Sequence, residues 1–296
     1  MFVVAVSGDI GAGKSTLTRL WADLGAEVTG ADEVAKSLWG RPEIRAAAAS
    51  RWGDELFDPQ GTPRPGEFLR TAFASREDHR FLGELLHPLV WDLLKERSGR
   101  GSWRVLEVPL LFETGVPEWV DATVYVTAQA SVREERVARS RGWATEDLAL
   151  RERWLLPGEE KARRARWTLA NDGDRDVFLR EGRNLGLLFR RLASVVEGDT
   201  ACGSPDEAAR IARALVEGRL VACVQTTPTR SLFRWKGRVE EHPEWVLSFR
   251  TLEEYQGPVE RRIRELHRYE LPVVSFRVPS RLGLDARLWV TESCGP

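Results

Sequence analysis

The stretch Phe2-Val3-Val4-Ala5-Val6-Ser7-Gly8-Asp9-Ile10-Gly11-Ala12-Gly13-Lys14-Ser15-Thr16 decides the fold of the first half of the chain. Its apolar opening predicts a buried parallel strand, and the spacing of Leu17, Leu20, Trp21 and Leu24 predicts a helix over Lys14–Leu24. Between them lies the pattern Gly-x4-Gly-Lys-Ser/Thr. A strand end, a glycine-rich turn and a helix start bring several backbone N–H groups onto one phosphate chain. Gly8, Asp9, Ile10, Gly11, Ala12, Gly13, Lys14, Ser15 and Thr16 are therefore expected to cradle a nucleoside triphosphate. Lys14 would reach the β- and γ-phosphates, and the Ser15 hydroxyl would ligate Mg2+.

Outward from this loop, strands alternate with helices. Glu27–Thr29, Trp103–Val108 and Thr123–Thr127 read as strands. Helical patterns cover Glu33–Leu38, Glu43–Trp52, Glu77–Arg97, Ser131–Arg141, Thr145–Leu155, Glu159–Trp167 and Asp174–Val195. Such alternation after a phosphate loop predicts an α/β domain with a mostly parallel sheet covered on both faces. The polar, glycine-rich run Glu197–Pro205 suits a boundary, giving expected domains 1–196 and 197–296. Beyond it a helix at Asp206–Glu217 precedes strand-like Leu220–Val224, Ser231–Trp235 and Trp245–Thr251. A helix at Glu253–His267, a strand at Val273–Val278 and a short helix at Leu284–Thr291 follow. This is the order of a ferredoxin-like α+β sandwich.

With 296 residues, 42% of them apolar, two domains can each bury a core. The net charge of −1 gives no global field for nucleic acid or a membrane surface. No apolar run approaches a membrane span, and the first strand begins at residue 2, where a secretory leader would stand. The three cysteines Cys202, Cys223 and Cys294 are too few and too far apart for a disulfide framework. A cytoplasmic location is expected.

Asp32 follows the second strand, where a carboxylate can orient or deprotonate an attacking hydroxyl; the alternative is a helix N-cap. Glu107 ends a strand, where an acid can hold Mg2+ through water; the alternative is an ion pair at the sheet edge. Arg133, Arg136, Arg139 and Arg141 recur with helical spacing. They would either close over a triphosphate or form a solvated face. In the second half, Cys223 and His267 are possible soft-metal ligands, against the reading of Cys223 as a buried, inert thiol.

Residues 1–192 resemble the dephospho-CoA kinase family. The resemblance rests on Val6–Thr16, Ala31-Asp32 with Ala35, Leu86-His87-Pro88-Leu89, Val108-Pro109-Leu110-Leu111-Phe112-Glu113 and Asn171-Asp172-Gly173. It implies a P-loop nucleoside-kinase-like fold and ATP-dependent phosphorylation of the ribose 3′-hydroxyl of dephospho-CoA, with ATP and Mg2+ as cofactors. It also implies Asp32 as base or hydroxyl anchor, Arg139 and Arg141 in a mobile lid, and Glu77–Arg97 in an acceptor-binding subdomain. The chain departs from the family pattern at Gly30, Pro63–Gly66, Leu155 and Arg166, which bears on acceptor affinity. Another small-molecule P-loop kinase, or a non-catalytic nucleotide-binding scaffold, remain alternatives at this point.

Residues 204–293 resemble the CutA family of divalent-cation tolerance proteins, through Arg219–Val224, Ser231–Gly237, Leu266–Pro272 and Leu288-Trp289-Val290. That resemblance implies a ferredoxin-like fold and a homotrimer. The segment Val195–Cys202, where the first strand should lie, carries Glu, Gly and Asp and reads poorly as one.

Overall fold

The structure is a computed structural model and describes residues 1–96 and 102–295. The apolar opening run forms strand β1 (Phe2–Gly8), buried along its whole length. Only a strand covered on both faces can afford so continuous an apolar sequence. β2 (Glu27–Gly30), β3 (Trp103–Glu107), β4 (Ala122–Thr127) and β5 (Trp167–Ala170) complete a sheet of order β2-β3-β1-β4-β5. Every pairing in it is parallel. The C-terminal ends of all five strands consequently share one edge, where parallel α/β sheets place their ligands.

Several boundaries differ from expectation. The helix expected from Glu33 begins at Ala31 and runs to Leu38, with Gly30 as its N-cap. Asp32 is thus inside the first turn, and the N-cap alternative for it falls. The long helix is Arg76–Glu96, continuing through Pro88; Arg97 lies outside the described residues. Trp167, expected to close a helix, opens β5 instead, and the helix before it is Gly158–Arg164. A β-strand of four residues carries too little alternation to stand out from its helical neighbours.

The chain divides into two compact units, Phe2–Leu187 and Leu188–Pro296, with Met1 counted in the second. The division falls within the helix Arg175–Ala193. In the second unit, β6 (Val195–Cys202), β7 (Cys223–Trp235), β8 (Arg238–Leu252) and β9 (Val274–Arg277) form an antiparallel sheet of order β7-β8-β6-β9. With helices Pro205–Glu217 and Gln256–Leu266 between strands, this is the ferredoxin-like arrangement. Ala208, Ile211, Leu215, Val259 and Ile263 from the two helices pack on Cys202, Leu247 and Phe249 of the sheet.

The poorly strand-like segment is β6, a central strand, and a boundary after residue 196 passes through it. Val196, Gly198, Thr200 and Cys202 alternate into the protein, while Glu197 and Asp199 face the other way. Glu197 pairs with Arg250 at 3.1 Å, and Arg277 meets both carboxylates from the neighbouring strand. Gly198 leaves room for the Phe249 ring opposite it; a Cβ there would approach that ring to 2.4 Å. The expected strands at Leu220–Val224 and Ser231–Trp235 are replaced by the single 13-residue β7, which pairs with β8 from Cys223↔Arg250 to Trp235↔Arg238. The outer part of this ribbon exposes Leu232 and Val239.

Candidate active site

The sheet edge above β1 opens into a cavity of about 660 Å3 bordered by the phosphate loop, Asp32, Glu107 and the arginines Arg136, Arg141, Arg151 and Arg175. The loop is held from behind. Asp9 accepts hydrogen bonds from Tyr125 (2.5 Å) and Thr127 (2.9 Å) on β4. Burial, followed by this carboxylate, raises the Tyr125 pKa and keeps its phenol protonated as a donor. The Asn171 amide donates to the carbonyl of Ala12 at 2.7 Å. Gly13, with φ of 107°, caps the Lys14–Asp23 helix, and an added Cβ would meet the Asn171 amide nitrogen at 2.6 Å. Asp9 and Ala12 therefore shape the loop, while Gly8, Ile10, Gly11, Gly13, Lys14, Ser15 and Thr16 line the cavity. At a helix start the first N–H groups lack intrahelical acceptors, and this end of the dipole favours anions.

Lys14 donates to the carbonyls of Gly8 and Asp9, each at 3.0 Å. Burial lowers its pKa, opposed by the carboxylates of Glu107, Asp32 and Asp9. Ser15 donates to one oxygen of Glu107 at 2.7 Å, and Thr18 to the other at 3.0 Å. The ion-pair alternative for Glu107 is not what the structure places there: its partners are two hydroxyls. Asp32 stands at the cavity wall, and withdrawal of solvent by the cleft raises its pKa; Lys14 opposes this and Glu107 adds to it. A carboxylate shifted upward beside a cation is suited to take a proton near neutral pH.

The arginines sort by helix phase. On the helix Ala130–Arg141, Val137 is buried, and Arg136, Ser140 and Arg141 border the cavity beside it. Arg139 points away, 76% exposed and paired with Glu135 on the solvent side. Arg139, expected in the lid, is thus not among the arginines that border the cavity, because its helix position lies roughly opposite Val137. Arg133 is turned inward onto Glu152 and the carbonyls of Ala128 and Ile10, bracing the helix against the loop. Arg136 donates to Asn171 at 3.2 Å, while its Nη1 is buried without a hydrogen-bond partner. A guanidinium on a cationic cavity wall with an unsatisfied N–H fits an anionic ligand. Arg151, from the helix Thr145–Glu152, also borders the cavity and was not singled out from the sequence. Its signal was the same phase rule, three residues after buried Leu148.

On the far side, Phe73, His79, Pro109, Leu110 and Leu155 form the less charged wall. Burial lowers the His79 pKa and favours its neutral form. Glu113 ties the wall together: it pairs with buried Lys161 at 2.8 Å and accepts the Leu156 N–H at 3.1 Å.

In the second unit, His267 has both ring nitrogens engaged, Nε2 with the Ala201 carbonyl at 2.9 Å and Nδ1 with the Tyr269 N–H at 3.0 Å. This removes it as a ready partner for Cys223 in a metal site. No group of three or more His, Cys, Asp or Glu able to hold a metal occurs among the described residues. Tyr269 donates to Glu244 at 2.6 Å, and Glu270 pairs with Lys236 at 2.9 Å.

Comparison with known proteins agrees with this geometry. Residues 2–176 match the family model "Dephospho-CoA kinase", and residues 199–292 match "CutA1 divalent ion tolerance protein". The dephospho-CoA kinase of Corynebacterium diphtheriae is 33% identical over 203 residues, 67% of this chain and the whole of that protein. That of Methylococcus capsulatus is 38% identical over 152 residues, covering 50% of this chain and 76% of its own. The solved structure of TT1252 from Thermus thermophilus superposes with a TM-score of 0.54 at 31% identity, covering 63% of this chain and 96% of that one. The phosphate loop, the carboxylates at the sheet edge and the arginine-bearing helices thus sit on a chain that belongs to the dephospho-CoA kinase family, with a CutA-type segment following the kinase segment.

Proposed function

We propose that the kinase segment transfers the γ-phosphoryl group of ATP to the ribose 3′-hydroxyl of dephospho-CoA, giving ADP and coenzyme A. One observation carries this reading: Lys14, Asp32, Glu107, Arg136, Arg141 and Arg151 all border a single cleft at the phosphate loop. Phosphoryl transfer asks a protein mainly for positioning and for fixed positive charge around the transferring group. Lys14 and the loop N–H groups bind the phosphate chain. Arg136, with its unpartnered Nη1, and Arg141 and Arg151 stabilise charge on the equatorial oxygens. Asp32 accepts the proton of the attacking hydroxyl.

Ser15 and Glu107 supply hard oxygen donors that fit Mg2+, which characteristically combines one or two protein oxygens with substrate phosphates. When bound there, the ion would neutralise β- and γ-phosphate charge. Phe73, Leu110 and Leu155 offer the acceptor an apolar wall.

The second segment is read as the oligomerising part, forming a homotrimer through the exposed β7–β8 ribbon. The family match and the apolar side chains on that ribbon support this. No nucleic acid or membrane partner is proposed, given the near-zero net charge. No helix among the described residues is long and apolar enough to cross a membrane. A cytoplasmic site of action accords with cysteines that are all free.

Coupled ADP release tests the activity: turnover should depend on dephospho-CoA and be lost in Lys14→Ala. Turnover with another acceptor but none with dephospho-CoA overturns the proposal. Light scattering of the full chain should give three times the protomer mass of 33.5 kDa, and a monomer at micromolar concentration rejects the trimer.

A further inference from the structure

Trp143 stands outside the cavity, between the helices Ala130–Arg141 and Thr145–Glu152. Two guanidinium groups lie on its ring: Arg141 with its Cζ 4.7 Å from the centroid, and Arg151 at 3.6 Å. Both arginines border the cavity. Arg151 is also fixed by the Asp147 carbonyl at 2.8 Å. Among the described residues Arg141 has no ion-pair or hydrogen-bond partner, so the indole is the group that orients it.

We propose that Trp143 is a positioning residue for phosphoryl transfer, a shared aromatic platform that gathers Arg141 and Arg151 and presents both to the nucleotide phosphates. Two cations this close repel one another, and the negative face of the indole offsets that repulsion while leaving the N–H groups of Arg141, and those of Arg151 not held by Asp147, available to anions. A lysine at either position would lose the planar stacking. The platform also sets the arginines before the ligand arrives, so less ordering remains for the binding step. The inference rests on the cleft being the ATP site and does not depend on which acceptor is used.

A double-mutant cycle on the full-length protein tests it, read both as the Kd for ATP with Mg2+ by calorimetry and as kcat/KM with dephospho-CoA. Trp143→Met keeps an apolar side chain but removes the π face; it should weaken ATP binding and lower kcat/KM by about tenfold or less. Trp143→Phe should recover most of each loss. In an Arg141→Met background, Trp143→Met should cost less than it does in the wild-type protein, because one of the two groups it acts through is gone. If Trp143→Met does not fold, Trp143→Gln carries the same cycle. An unchanged Kd and kcat/KM in the single variant, no recovery by Trp143→Phe, or a loss that persists in full without Arg141 would each overturn the proposal. Normal ATP binding and the expected pattern in Kd, with no turnover of dephospho-CoA, would overturn the acceptor assignment and leave the platform supported.

Discussion

Replacing Lys161 by methionine probes how the acceptor wall is held. Lys161 is 2% exposed, and its ammonium lies 2.8 Å from Glu113, itself 13% exposed. The second oxygen of Glu113 is buried with no hydrogen-bond partner, and among the described residues Lys161 is the one cation in an ion pair with this carboxylate. Lys161→Met leaves a buried carboxylate uncompensated, which costs about 3–5 kcal/mol. For a unit of this size, about 3 °C per kcal/mol gives a fall of about 10 °C in Tm. Glu113→Gln strands the lysine instead and should cost a similar amount. The double variant carries no buried charge and should be more stable than either single one. Nine of the twelve tryptophans lie in residues 2–187, so urea unfolding followed by fluorescence reports chiefly on this unit. Because Glu113 also accepts the Leu156 N–H beside cavity-lining Leu155, KM for dephospho-CoA should rise with the loss of stability. A cost below about 1 kcal/mol for Lys161→Met, within the range of an exposed pair, would refute this reasoning.

Four further outcomes are expected. Asp32→Asn should lower kcat by about 10²- to 10⁴-fold, the usual contribution of a positioned base. In the active enzyme the base must be ionised, so the acid limb of kcat/KM lies above the ordinary aspartate range. Removing a charge that raises the Asp32 pKa, by Glu107→Gln, should shift this limb to lower pH, and removing one that lowers it, by Lys36→Met, to higher pH; pH–rate profiles that move oppositely reject Asp32 as the base. Arg141→Ala should reduce kcat by about 10²-fold or more while Arg139→Ala stays within about twofold, as steady-state kinetics will read. Gly13→Ala should abolish ATP binding in calorimetry, since both the φ of 107° and the 2.6 Å approach to Asn171 forbid a Cβ; retained binding would show that the loop can refit.

The phosphate loop was legible because its signal is local: each residue's role follows from its neighbours within one turn of chain. The choice between base and N-cap for Asp32 was not, since it turned on whether the helix began at residue 31 or 33. Among the arginines, charge alone could not separate Arg139 from Arg136 and Arg141; the buried Val137 supplied the phase. Arg151 lay on a different helix, and only tertiary structure brought it onto Trp143. In the second unit, the carboxylates of β6 hid its alternation, and their arginine partners lie 53 and 80 positions away in sequence for Glu197. Non-local pairing of this kind leaves no trace in a window of a few residues.

The long antiparallel ribbon of β7 and β8 has consequences for handling the protein. Its backbone ladder is complete to the tip, yet among the described residues its outer half has no third strand and shows side chains such as Leu232 to water. Two strands by themselves are at best marginally stable. If neighbouring copies cover the ribbon, mass action links its melting to dilution, so heat resistance should rise with protein concentration while ATP turnover per protomer stays constant.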